Sequence, residues 1–153
     1  MEDKAMQRSL KWLQDLIKGA IGYGLEIRAL EGLCITQARN GFIRSNLIVP
    51  IHASDADGNW HVGAIATLID VIGAVAVYSF ANRVITSVDF SNSYYSTAKI
   101  QEHVEIDAKV VANRGKLIQG MVEVRRKGNG ELIALGILWM ASNSLTVSQV
   151  SRL

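Results

Sequence analysis

Residues 60–78 are apolar on nearly every side and carry one carboxylate, Asp70. A helix of that composition has no wet face, so it belongs inside a protein with other elements packed around it. A charge near its middle is expensive unless it is paired, hydrogen-bonded or put to use. Gly63, Thr67 and Asp70 fall at i, i+4 and i+7, which sets a small residue, a hydroxyl and a carboxylate on one stripe. The turn-rich approach over 55–61 brings the first free N–H groups of the helix, near Val62 and Gly63, to the mouth of a cleft. A helix start of this kind favours an anion, including an oxyanion that develops during a reaction. The alternative is structural, with Asp70 a satisfied core carboxylate and Gly63 a packing glycine.

The helix approaches the length of a membrane span, but Asp70 at its middle, its Gly/Ala content and the strand-like stretches around it favour a buried core helix. With 49% hydrophobic and 20% charged residues the 153-residue chain has ordinary globular usage and fits one domain, so neither disorder nor a membrane partner is expected. A formal net charge of +2 is too small to imply nucleic acid. The densest basic group, Arg125-Arg126-Lys127, reads as a solvated hairpin end, with contact to a phosphorylated ligand as the lesser alternative. Cys34 is the sole cysteine, which excludes an internal disulfide and suits a reducing compartment. Glu2 and Asp3 make the amino end unlike a secretory signal. Ser151-Arg152-Leu153 is close to the Ser-Lys-Leu peroxisomal address, so a peroxisomal location is expected, and otherwise a cytoplasmic one.

Apolar residues at helical spacing over 9–20 predict an amphipathic first helix, broken by Gly19, Gly22 and Gly24. A strand-like stretch is expected to begin over 25–30. Residues 33–39 and 42–49 flank Asn40-Gly41 and predict a hairpin that ends at Pro50. After the central helix, Asn82-Arg83 predicts a turn, followed by strands over 84–95, 104–110, 117–125 and 132–140. The order has no βαβ alternation, which points to an antiparallel α+β fold. The division expected is a helical segment over 1–24, a core over 25–141 and a mobile tail over 142–153.

No Gly-x-Ser-x-Gly elbow, Walker-type loop or dinucleotide fingerprint is present, and His52, His61 and His103 lack metal-ligand spacing, so neither metal nor cofactor is expected. Ser87 is a candidate polar group in Thr86-Ser87-Val88-Asp89-Phe90, or else an ordinary strand hydroxyl. Under strict alternation Asp89 shares its face, and a structural salt bridge is the preferred role for Asp89.

The run His61-Val62-Gly63 followed by Asp70 resembles the His-Gly-Gly-plus-Asp helix of hotdog-fold thioesterases, in the branch of phenylacetate-pathway and small eukaryotic acyl-CoA thioesterases. The resemblance runs from about Ile48 to Met140, through residues 87–90, 95–99 and 130–134. It implies a hotdog fold, with an antiparallel sheet wrapped around the long central helix, assembled as a homodimer or homotetramer. It also implies hydrolysis of an acyl-CoA to a free acid and coenzyme A. Residue by residue, it carries the oxyanion-binding N–H to Val62, where the family has glycine, and the general base or nucleophile to Asp70. A water-holding hydroxyl falls to Ser87, and a structural hydrogen-bonding role to His61. Asp55 falls where relatives often have asparagine; a shift of a few positions would put Asp57 or Asn59 there instead. The rival reading is a non-catalytic acyl-CoA-binding or interaction protein that keeps the hotdog shell, favoured by Val62 and Asp55. The axial rise from Val62 to Asp70 is about 12 Å, too far for both to reach one thioester carbon from the same straight helix. Two chains are therefore expected to share each site.

Overall fold

The computed structural model describes residues 3–22, 24–81 and 85–142. Asn82-Arg83 and Ser151-Arg152-Leu153, with the tail beyond residue 142, lie outside the described residues.

Helix α1 spans Lys4–Ile17 and starts earlier than the apolar periodicity does, because Asp3 caps it by accepting the Ala5 N–H at 2.8 Å. The expected strand at 25–30 is instead a short helix, α2, over Leu25–Ala29. Five residues do not complete two helical turns, so the apolar spacing of Leu25, Ile27 and Ala29 mimics a strand. Strands β1 (Cys34–Arg39) and β2 (Phe42–Ile48) form the hairpin expected at Asn40-Gly41, where Gly41 takes a positive φ of 75°. A 3-10 turn over Ile51–Ala53 follows Pro50 and leads into helix α3, Val62–Ala81. Strands β3 (Ile85–Tyr94), β4 (His103–Arg114), β5 (Leu117–Arg126) and β6 (Leu132–Ser142) complete the chain.

All six strands join one antiparallel sheet in the order β1-β2-β4-β5-β6-β3, which leaves β3 as an edge. Helix α3 lies across one face of the sheet, with α1 and α2 packed on its other side, so both faces of the helix are covered along most of its length. Leu68, Ile69, Ile72 and Val75 are fully buried, each contributing about 1.5–3 kcal/mol by removal from water. The helix approaches the sheet closely at two glycines. A β-carbon at Gly136 would stand 2.3 Å from the Ile69 side chain, and one at Gly73 would stand 2.8 Å from Leu138. This is the expected architecture: an antiparallel sheet around a long central helix, with a helix in front.

Candidate active site

The loop before α3 is built as a tight turn. Asp55 Oδ1 accepts the N–H groups of Asp57 and Asn59, both at 2.9 Å, and the Asp55 N–H donates to the Asn59 carbonyl at 2.7 Å. An asparagine Oδ1 would accept the same two bonds, so the acidic residue at this position leaves the turn unchanged. Trp60 is buried and its N–H donates to the Ala98 carbonyl at 2.7 Å, which fixes the chain just before the helix.

His61 caps the helix. Its N–H donates to the Ala53 carbonyl at 2.9 Å, and its carbonyl accepts the Ile65 N–H at 3.0 Å. Its Nδ1 accepts the Gly63 N–H at 2.9 Å, so the imidazole carries its proton on Nε2 when neutral. A β-carbon at Gly63 would stand 3.0 Å from this Nδ1, so the glycine gives the ring room to fold over the helix start. The two expected donors thereby part. Gly63 spends its N–H on the cap, while the Val62 N–H finds no acceptor among the described residues. Val62 itself is more than half exposed.

Two turns further along α3, Asp70 is half-buried and makes no hydrogen bond among the described residues. Burial raises its proton affinity above that of an ordinary aspartate, and the charge of Glu26 on α2 raises it further. Thr67, on the same stripe, turns its hydroxyl back to the Gly63 carbonyl at 2.8 Å.

Strand β3 runs antiparallel to α3. Tyr78 Oη donates to the Ile85 carbonyl at 3.3 Å near the end of the helix, and Tyr94 Oη donates to the Val62 carbonyl at 3.4 Å at its start. Ser87 near the beginning of β3 therefore belongs with the distal half of α3. The candidates do not gather in one place: Asp55, His61, Val62 and Gly63 lie at the helix start, Asp70 lies two turns along α3, and Ser87 faces its distal half, with no hydrogen bond between Asp70 and Ser87 among the described residues.

Ser87 and Asp89 do not share a face. Pairing steps from Ser87 opposite Met140 to Asp89 opposite Trp139, so β3 holds one extra residue at Val88. Met140 is buried in the core and Trp139 lies on the other face of β6. Ser87 thus faces the helix side and Asp89 the outer side, against the expectation from strict alternation. Asp89 also forms no salt bridge among the described residues, contrary to the role preferred for it. Beyond the bulge, Phe90, Asn92 and Tyr94 occupy the helix-facing positions, which sequence reasoning missed because no Gly or Pro marks the bulge.

The thioesterase superfamily model matches residues 57–133, the stretch that holds the helix start, Asp70, strands β3 to β5 and the first residues of β6. The chain belongs to the thioesterase superfamily. Human acyl-coenzyme A thioesterase 13 is 31% identical over 110 residues, covering 71% of this chain and 79% of the human protein. The crystal structure of zebra fish thioesterase superfamily member 2 superposes with a TM-score of 0.78 at 29% identity, covering 88% of this chain and 97% of that one. A hypothetical thioesterase protein from Streptococcus pneumoniae, crystallised with coenzyme A, shares the fold with a TM-score of 0.74 at 19% identity, covering 88% and 96% of the two chains. Membership in the thioesterase superfamily agrees with the fold and the enzyme class expected from the sequence.

Proposed function

We propose that this chain hydrolyses acyl-CoA thioesters, with the Val62 N–H as oxyanion donor and Asp70 as the base that activates water. The observation that carries this reading is the division of labour at the start of α3. His61 occupies the Gly63 N–H and leaves the neighbouring Val62 N–H unengaged at the positive end of a 20-residue helix. Acyl-CoA as substrate is supported by the activity named for the human relative and by the coenzyme A bound to the Streptococcus pneumoniae neighbour.

In this mechanism the thioester oxygen points at the Val62 N–H. Asp70 takes a proton from water as the oxygen attacks the carbonyl carbon, and the oxyanion is held by the N–H and the helix dipole. Collapse breaks the C–S bond, and the proton held by Asp70 goes to the departing sulfur. Ser87 orients the water. Asp70 acting as nucleophile through a mixed anhydride uses the same residues.

The roughly 12 Å of helix between Val62 and Asp70 supports a site shared by two copies of the chain. So does the ten-residue edge of β3, unpaired among the described residues, which exposes Val88, Phe90 and Tyr94 beside the exposed Val62. If two copies meet along this edge, the helix start of one approaches Asp70 of the other, and each dimer holds two sites; a tetramer would pair such dimers.

The test is release of free thiol from a panel of straight-chain, branched and aromatic acyl-CoAs by the wild type and by Asp70→Asn. Turnover by the wild type that falls at least about a hundredfold in the variant supports the reading. Binding of acyl-CoA without thiol release would favour a non-catalytic binder.

A further inference from the structure

Arg126, the last residue of β5, has a guanidinium that is 21% exposed and divided among four groups. Nε donates to Glu131 at 3.1 Å and Nη1 meets the Glu102 carboxylate. Nη2 donates to the Thr97 carbonyl at 2.7 Å and to Ser96 Oγ at 3.4 Å. One side chain therefore ties both ends of the 96–102 connector between β3 and β4 to the tip of the β5–β6 hairpin.

The other edge of that connector holds the loop before α3. Trp60 N–H donates to the Ala98 carbonyl at 2.7 Å, Asn59 bridges to Lys99, and the Ile100 N–H donates to the Gly58 carbonyl at 3.1 Å. The residue after Trp60 is His61, whose Nδ1 caps the helix and leaves the Val62 N–H as the donor. A chain of bonded groups thus runs from Arg126 through Thr97, Ala98 and Trp60 to the helix start. The connector is irregular over 95–98: the Tyr95 and Ser96 N–H groups donate to the Ile133 carbonyl of β6 at 2.8 and 3.3 Å, and beyond them the Thr97 carbonyl is held by Arg126 and the Ala98 carbonyl by Trp60. Glu102 depends on Arg126 in return, since its Oε2 is buried and has no other partner among the described residues.

We propose that Arg126 is a positioning residue for thioester cleavage, clamping the 96–102 connector so that the Val62 N–H is held at the angle the oxyanion requires. This rests on Val62 being the donor, as proposed above. Arginine suits the task because its planar fork reaches acceptors in three directions, which one lysine ammonium does not. The adjacent Arg125 serves as a control, because among the described residues its guanidinium bonds only Glu123 and the Gly130 carbonyl, away from the connector.

The experiment compares Arg126→Gln, Arg126→Lys, the double variant Arg126→Gln/Glu102→Gln and Arg125→Gln with the wild type. Amide hydrogen exchange, Tm, kcat and KM are measured on each. Arg126→Gln should speed exchange over 58–62 and 96–102, lower kcat roughly tenfold or more, and leave KM within about twofold. Arg126→Lys should fall between the two, and Arg125→Gln should match the wild type. The double variant removes the orphaned Glu102 charge, so it should regain Tm without regaining kcat. Recovery of kcat together with Tm would overturn the proposal by showing that Arg126 acts through stability alone. Unchanged kcat in Arg126→Gln would overturn it as well. If even the wild type releases no thiol, the thioesterase reading fails separately, and unaltered exchange over 58–62 in Arg126→Gln then overturns the clamp itself.

Discussion

Asp70 on α3, already driven toward its neutral form by burial, feels a second carboxylate, Glu26 on α2, whose charge raises its proton affinity further. A base must be ionised to accept a proton, so the acid limb of the kcat profile should lie above the range of an ordinary aspartate, about 3.9. Removing a neighbouring negative charge makes ionisation easier. Glu26→Gln should therefore shift that limb to lower pH, as checked by a kcat profile measured from acid to neutral pH. A limb that moves up, or not at all, would contradict the coupling.

The same raised proton affinity carries a cost in stability. Where the folded-state value lies above the unfolded one, the folded protein is penalised once the group ionises, and the penalty fades as pH falls through the folded value toward the unfolded one. Asp70→Asn should thus raise Tm at pH 7 while abolishing most turnover, and its advantage should shrink on acidification. Calorimetry of the two proteins at neutral and acid pH checks both signs.

The bulge at Val88 separates two side chains that strict alternation would pair. Ser87→Ala should lower kcat by roughly tenfold, less than Asp70→Asn, because the role proposed for the serine is to orient water without taking its proton. Asp89→Asn, on the opposite face, should stay within about twofold of the wild type. Equal losses from both variants would mean that the strand does not present Ser87 alone to the helix.

Two inactive proteins should restore activity when mixed, if sites are shared. Val62→Pro deletes the proposed donor N–H with a residue tolerated at a helix start, and Asp70→Asn deletes the proposed base. A mixed dimer has one site with both groups intact and one with both lost. Random reassortment should recover roughly a quarter of wild-type activity, since about half the dimers are mixed. The check is thiol release after subunit exchange demonstrated with differently tagged chains; parental activity after proven exchange would refute sharing.

The parts of the fold that repeat were legible in the sequence. The central helix declared itself through unbroken apolar composition, and the β1–β2 hairpin through Asn40-Gly41. Short or singular features did not show. Helix α2 is shorter than the period needed to recognise it, and the Val88 bulge interrupts no visible pattern. Within the candidate site, Asp70 stood out as a lone carboxylate and the resemblance implied a structural hydrogen bond for His61, but the partner of that bond, the Gly63 N–H, did not show, because imidazole is not among the usual cap side chains. The Arg126 cluster was hidden for another reason. Its partners at 96–97, 102 and 131 come together only through the sheet.

The near-contact of Ile69 with Gly136 bears on how such a cleft could be altered. Ile69 fills the space of the missing β-carbon, so a hydrogen atom on β6 sets how deeply α3 sits one residue before Asp70. Any larger residue at 136 would lift the helix and carry the carboxylate away with it. On the proposed thioesterase reading, room for a bulkier acyl group beside Asp70 would not be gained by moving the helix. It would come from trimming the side chains at 90, 92 and 94, on the strand that faces it.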